Sequence, residues 1–326
     1  MLEVRDLSIS FRLAGGGRVN ITRKLNFRIG AGERLGVVGE SGCGKTVTGL
    51  SVLRLLPEAH VQIDGQVLFE GQDLLKLPET GMRAIRGRDI AMIFQEPMTA
   101  LDPVFTVGEQ IAEAYRTHFP VSRAEARERA IEGLAKVGIP LPARRVDEYP
   151  HQFSGGMRQR VMIAMALVCE PRLLIADEPT TALDVTVQAQ ITDLLRELSE
   201  RAGTALMFIT HDLGVVAEVC TRMVTMYAGE VVEDAPVDDA LVRPRHPYTS
   251  GLLRSLPRLT PHRGVLPSIR GRVPSPSEMP GGCRFRARCD HAQAACGDEQ
   301  VATTVSPGHV ARCCRAAELD LPGVVA

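Results

Sequence analysis

The sequence predicts an α/β fold with a largely parallel sheet, and three observations carry that prediction. Short apolar segments of strand length recur at 35–38, 90–94, 173–176, 206–209 and 224–226. Patterns of helical period lie between several of them. The glycine-rich run Gly39-Glu40-Ser41-Gly42-Cys43-Gly44-Lys45-Thr46 joins one such strand to the helix after it. Strands that alternate with helices bury a parallel sheet under helical layers.

The elements follow in order. Residues 2–11 alternate as Leu2, Val4, Leu7, Ile9 and Phe11, with one slip, and predict an opening strand. Gly15-Gly16-Gly17 is a turn. The segment 34–38 reads as a short buried strand and 46–56 as a helix. The stretch from about 97 to 167 has no clear strand and reads as a helical insertion. Within it, Ser122-Arg123-Ala124-Glu125 is a capping box, followed by Ala130, Ile131, Leu134 and Val137, with Gly138 as the stop. The apolar run 161–169, between Arg160 and Glu170, predicts a buried helix. Ile191, Leu194, Leu195 and Leu198 make another amphipathic face. After Pro236 the prolines crowd (Pro244, Pro247, Pro257, Pro261, Pro267, Pro274, Pro276 and Pro280), so the main domain is placed at 1–240 and an extension at 241–326.

Composition bounds the function. A chain of 326 residues with 44% hydrophobic residues has material for a sizeable core. Lys+Arg 38 against Asp+Glu 39 leaves a formal net charge of -1, which argues against a general binder of nucleic acid or anionic membrane. With no Trp and 4 Tyr, stacking platforms are few. The first residues carry early acids and no long apolar stretch, so no signal peptide is expected. No segment reaches the ~18 apolar residues of a membrane span. A soluble, cytosolic chain is expected, one that would work at a membrane only from the side.

The run 39–46 fits the phosphate-loop pattern G-x-x-x-x-G-K-[ST]. Its glycines let backbone N–H groups approach the β- and γ-phosphates, Lys45 supplies charge, and the Thr46 hydroxyl is a Mg²⁺ ligand. The helix that follows presents its N-terminus to the anion. Leu173-Leu174-Ile175-Ala176-Asp177-Glu178 is an apolar strand ending in two acids. Asp177 suits Mg²⁺ through its waters, and Glu178 suits an attacking water. Phe153-Ser154-Gly155-Gly156-Met157-Arg158-Gln159-Arg160 places a Ser-Gly-Gly turn at a helix N-terminus, a second anion cradle that one nucleotide does not need.

With that second cradle the chain resembles the ATP-binding-cassette ATPases. Residues Ser154 to Gln159 match the family signature. Gln95 matches the Q-loop glutamine, Ala182-Leu183-Asp184 the D-loop and His211 the switch histidine, all in the family's order over about residues 1–240. The resemblance implies a RecA-like core with a helical subdomain at about 97–167. It also implies a head-to-tail dimer in which each ATP lies between one subunit's phosphate loop and the other's signature. It assigns catalysis to Glu178 as general base, to His211 at the γ-phosphate and to Gln95, which senses Mg²⁺ and water. It assigns nucleotide contacts to residues 39–46 and to Ser154, Gly155, Gly156, Gln159 and Asp184, and Mg²⁺ to Thr46, Gln95 and Asp177. The aromatic residue that stacks on adenine, usually a Tyr upstream of the loop, is missing. Phe11 is the candidate, with a core strand Phe as the alternative reading.

Outside the core motifs the segments 92–103, 149–166 and 175–186 resemble peptide and nickel importers, as does His246-Pro247-Tyr248-Thr249, which opens the extension. The likeness is greatest to the D-type ATPase subunit of dipeptide and oligopeptide permeases. It implies an ATPase that energises peptide uptake from the cytoplasmic face of a bacterial membrane. Its implied partners are a second, homologous ATPase, two transmembrane permease subunits and, indirectly, a substrate-binding protein. Nickel, glutathione or another small solute are alternative cargoes. A soluble cassette ATPase of DNA repair or translation is the more distant alternative, disfavoured by the single cassette and the short insertion. A non-catalytic regulator would be expected to lack Glu178 or His211.

Five of the eight cysteines lie after residue 280: Cys283, Cys289, Cys296, Cys313 and Cys314. Their spacing alone is no standard zinc or ferredoxin pattern. Arg284, Arg286, Arg288 and Arg312 are read as stabilising thiolates or an anionic cluster. Iron–sulfur, zinc, and free or disulfide-bonded thiols all remain open on the residues. The importer subfamily has a similar Gly-Cys-x-Phe-x-x-Arg-Cys segment, which resembles Gly282 to Cys289 and implies a [4Fe–4S] cluster on Cys283, Cys289, Cys296 and Cys313. Cys43, Cys169 and Cys220 read as small buried or loop residues.

Overall fold

The opening alternation forms strand β1 (Leu2–Arg12), which returns as β2 (Arg18–Ile29). The slip in the pattern is a real irregularity. Asp6 has a φ of 47°, and the β1–β2 register shifts between Val4 and Leu7. The extra residue keeps Leu2, Val4, Leu7 and Ile9 all buried. The computed structural model describes residues 1–13, 15–95, 100–181, 183–256 and 268–324. Pro257, Pro261, Pro267, Ala182 and the Q-loop residues 96–99 lie outside the described residues.

Strand β3 (Arg34–Val38) leads into helix α1 (Lys45–Val52). This helix is shorter than the 46–56 expected. Leu55 N–H bonds to Leu50 O at 3.0 Å and Arg54 N–H to Ser51 O at 3.1 Å, the paired bonds of a Schellman motif. Arg54, with a φ of 50°, occupies the left-handed position where glycine is usual. Strands β4 (Val61–Phe69) and β5 (Gln72–Asp73) follow.

Next come α2 (Glu79–Ile85), β6 (Ile90–Ile93) and the insertion. The insertion holds α3 (Val107–Arg116), α4 (Arg123–Lys136), α5 (Pro142–Arg145) and α6 (Gly155–Leu167), with no strand among its described residues. Ser122 Oγ accepts from Glu125 N–H at 3.1 Å at the start of α4, and Gly138 at φ 73° follows its end. Thr106 and Glu109 form a full capping box at α3 that the sequence reading did not pick out. The apolar run 161–169 is only partly helix interior, since α6 ends at Leu167 and its side chains from Met165 onward are half-buried. Strand β7 (Leu173–Asp177), helix α7 (Val185–Ala202) and strand β8 (Ala205–Thr210) complete this part. Ile191, Leu194 and Leu195 are buried on α7, as its amphipathic face requires.

The remainder comprises α8 (Leu213–Val219), β9 (Arg222–Tyr227), β10 (Glu230–Pro236), α9 (Val237–Val242), α10 (Pro247–Arg254), β11 (Thr303–Ser306) and β12 (His309–Ala311). Tyr227 and Val232 share a buried cluster with Tyr248, Phe285 and Cys289 of the proline-rich stretch.

The chain divides into two compact units. One comprises Met1–Ile29, Leu35–Leu75 and Thr210–Ala326, the other Gly30–Arg34 and Lys76–Ile209. The first holds an antiparallel sheet in the order β2-β1-β4-β5, and a run β11-β12-β10-β9-β3. In that run only β3 and β9 are parallel. The second unit holds the parallel strands β8-β7-β6 with its helices. Within each unit the apolar strands read from the sequence run parallel, β3 with β9 and β7 with β6 and β8, whereas the opening strand β1 pairs antiparallel with β2 and β4. Among the described residues no helix is long and apolar enough to cross a membrane.

Candidate nucleotide site and cysteine module

In the first unit, buried β3 delivers the chain to the glycine-rich loop. Gly39 is required by contact, because a Cβ there would strike Met226 O and lie 2.8 Å from Cys43 Sγ. Gly44 caps α1 in the left-handed conformation, φ 99°, and no side chain caps the first turn. The N–H groups of that turn are thus the ready-made anion donors of a helix start. Lys45 is 5% exposed, and its Nζ donates to Gly39 O at 2.8 Å and Glu40 O at 3.1 Å. The ammonium curls back over its own loop, where a phosphate would meet it. Ser41 and Gly42 are exposed, Thr46 is half-buried, and burial pushes the Cys43 thiol upward in pKa. Glu40 turns its carboxylate away from the loop and onto Arg288. His211 belongs to this unit, exposed directly after β8. Phe11 is half-buried on β1, across from Val19 and Val61.

The second unit carries the acids. Asp177 ends β7 and is 2% exposed. Glu178 follows with a φ of 45°, a strained conformation for a non-glycine residue, held by its N–H bond to Ile209 O at 2.9 Å. Its Oε2 accepts from Gln95 Nε2 at 3.1 Å and from Thr181 Oγ1 at 3.0 Å. Gln95 and Glu178, 83 positions apart, are thus brought into contact. Thr181 lies inside the matched segment 175–186, but nothing in its sequence position signals this contact.

Ser154 is the N-cap of α6, its Oγ accepting from Met157 N–H at 3.4 Å. Gly155 has open space where a side chain would be, whereas a Cβ on Gly156 would lie 2.7 Å from Val187 of α7. Gln159 is 1% exposed, with no hydrogen-bond partner for its Nε2 among the described residues. Its side chain lies inside the protein and not on the open turn. Asp184 caps α7 through Val187 N–H at 3.0 Å.

The late cysteines gather in one loop-rich module of the first unit. Cys283 N–H bonds to Cys296 O at 3.0 Å, and Cys296 and Cys314 bring their sulfurs to 3.9 Å. Cys283 feels Cys296, Cys313 and Cys289 electrostatically. Burial, with neighbouring thiols as a smaller cause, pushes the Cys283 thiol up to about 12 and the Cys313 thiol up to about 11. Among the described residues no three His, Cys, Asp or Glu side chains form a group that could hold a metal ion. The expectation that flanking arginines stabilise thiolates is corrected for three of them. Arg284 donates to Ala228 O and pairs with Glu230, Arg288 pairs with Glu40, and Arg312 donates to Val231 O and Gln300 O. Their charge goes to acids and carbonyls outside the thiol set.

A phosphate loop after a buried strand, an acid pair after another and a capped Ser-Gly-Gly turn define a nucleotide-hydrolysing cassette. The family model described as ABC transporter matches residues 22–181, and that of the oligopeptide/dipeptide transporter C-terminal region matches 232–296. The probable peptide ABC transporter ATP-binding protein y4tR of Sinorhizobium fredii is 55% identical over 325 residues, 98% of this chain and 96% of that protein. The dipeptide transport ATP-binding protein DppD of Bacillus subtilis is 48% identical, over 96% of this chain and 94% of its own. Among solved structures, the dimeric ATP-binding cassette MJ0796 bound to ADP and Pi aligns with a TM-score of 0.64 and 28% identity, over 73% of this chain and 99% of that one. The chain belongs to the ABC transporter family, among the ATP-binding subunits of peptide importers.

Proposed function

We propose that this chain hydrolyses ATP to energise uptake of di- and oligopeptides through partner transmembrane subunits. The observation that carries the reading is one chain matching both the cassette and the oligopeptide C-terminal region while keeping Lys45, Gln95, Asp177, Glu178 and His211. Residues 1–240 form the ATPase domain and 241–326 the importer extension.

The loop amides and Lys45 hold the phosphates, and Phe11 stacks on the base. Thr46, Gln95 and Asp177 offer the all-oxygen donor set that suits Mg²⁺, which when bound neutralises phosphate charge. Glu178 takes the proton of the attacking water, its carboxylate oriented by Gln95 and Thr181. His211 meets the γ-phosphate. The open turn at Ser154–Gly156, with Asp184, serves the nucleotide of a second cassette, which is a homologous but different ATPase, and the buried Gln159 acts from behind that turn rather than by direct contact. The pair works at the cytoplasmic face of the membrane beneath two permease subunits, fed by a substrate-binding protein.

The thiols of Cys283, Cys289, Cys296 and Cys313 hold a [4Fe–4S] cluster. The reading rests on the four cysteines lying in one loop-rich module and on the likeness of Gly282 to Cys289 to the importer segment. When bound, such a cluster supplies iron–thiolate cross-links to a module built of loops and short 3-10 turns. The functional test is ATP-dependent uptake by the reconstituted complex, offered di-, tri- and longer peptides, glutathione and Ni²⁺ in parallel. Peptide uptake is expected. Uptake of Ni²⁺ or glutathione alone would overturn the cargo.

A further inference from the structure

Glu40 is an odd residue for its place. It follows the first glycine of the phosphate loop, where an unpaired carboxylate would repel the polyphosphate that the loop gathers. Two residues of the C-terminal stretch deal with it. Arg288 Nη1 donates to Glu40 Oε2 at 2.6 Å and Nη2 to Oε1 at 3.0 Å, a two-pronged ion pair. The Arg288 side chain is 5% exposed and that of Glu40 30%. The Tyr248 hydroxyl accepts the backbone N–H of Glu40 at 2.8 Å, which fixes the orientation of the loop's second peptide.

Both clamps are themselves held. Tyr248 is fully buried, with its ring 4.7 Å from Tyr227 and 5.3 Å from Phe285 between centroids. Arg288 lies over the Tyr227 ring at 5.7 Å, and its Nε donates to Arg270 O at 2.9 Å. A third tie joins Gly229 N–H to Cys43 O at 3.0 Å, from the turn after Tyr227 and Ala228. Phe285 and Arg288 sit between Cys283 and Cys289, so the segment that carries the thiols also carries the clamp.

We propose that Arg288 and Tyr248 are positioning residues for the phosphate loop, holding Glu40 by side chain and backbone so that the loop is set for nucleotide by the cysteine-rich module. The proposal deepens the nucleotide reading and rests on it. Arg288 neutralises the carboxylate and turns it from the phosphates, and Tyr248 fixes the peptide plane that precedes the anion-binding amides.

The test measures affinity for a fluorescent ATP analogue on the full chain, and KM and kcat for ATP in the assembled transporter, with thermal melting as a check of folding. Arg288→Met strands the carboxylate. It is expected to weaken ATP binding about tenfold, the loss typical of a charge-assisted hydrogen-bonded pair, through KM with kcat little changed. Arg288→Lys should recover part of the loss. Adding Glu40→Gln to Arg288→Met should restore affinity, because the repelling charge is gone. Should Arg288→Met fail to fold, Tyr248→Phe carries the test, with a severalfold rise in KM expected. Lys45→Ala is the control. If Lys45→Ala loses nucleotide while the Arg288 and Tyr248 variants bind it as the wild type does, the positioning role is wrong. If Lys45→Ala also binds normally, the nucleotide reading itself fails. A double variant no better than Arg288→Met would likewise overturn the charge argument.

Discussion

Glu178 combines the signs of a functional residue: a left-handed φ of 45°, a carboxylate shared by Gln95 and Thr181, and a place directly after a buried strand. Such a backbone conformation costs about 1–3 kcal/mol and persists only where neighbours enforce it. The sequence made Glu178 legible as the second acid of a strand end, but not its strain or its contact with Thr181, which depend on backbone angles. His246 makes a different statement. It caps α10, its Nδ1 accepting from Tyr248 N–H at 3.1 Å. Complete burial, aided by the charge of Arg312, lowers its pKa from the usual 6.5 to about 3. Below pH 6.5 the unfolded chain takes up a proton that the native imidazole refuses. The native state therefore keeps its full margin above pH 6.5 and loses about 1.4 kcal/mol per pH unit as pH falls toward 3. His246→Asn retains a cap acceptor and removes the titration. Between pH 7 and 5 its unfolding free energy should gain about 2 kcal/mol on the wild type. Parallel stability curves for the two proteins would contradict the assignment.

Among the elements, those with clear periodicity were legible. The five apolar strands, the opening strand, α4 and α7 form where the sequence patterns place them, whereas α6 starts and ends earlier than the apolar run 161–169. The end of α1 was not legible, because its Schellman motif uses Arg54 where glycine would have signalled a stop. The strands β2 and β4 escaped because their alternation mixes many polar residues, and long-range pairing with β1 stabilises them. The cysteine module escaped most fully. Its segments contain only short turns and a small hairpin, and its arginines serve partners far away in sequence. Anaerobically purified protein is expected to contain iron and sulfide, lost in Cys313→Ser and retained in Cys314→Ser, whose native thiol is exposed. Zinc in their place, or iron kept by Cys313→Ser, would refute the ligand set.

At the scale of the whole molecule, the second anion cradle is the feature that one chain leaves unexplained. Ser154 and Gly155 present an open turn, while the chain's own phosphate loop already supplies the donors for one polyphosphate. A partner cassette accounts for it. Mass spectrometry of the purified transporter should therefore find this chain with a second, different ATPase and two permease subunits. A complex with this chain as its sole ATPase would refute the heterodimer. Hydrolysis by this chain calls on one base at the end of β7, Glu178. The most direct measurement is hydrolysis and nucleotide binding by Glu178→Gln in the assembled transporter, with the partner's site disabled. Nucleotide binding is expected to persist, because the shape is kept, while turnover falls at least about a hundredfold, as for removal of a general base. Near-normal turnover in that complex would contradict the assignment of Glu178 and with it the catalytic reading of this chain.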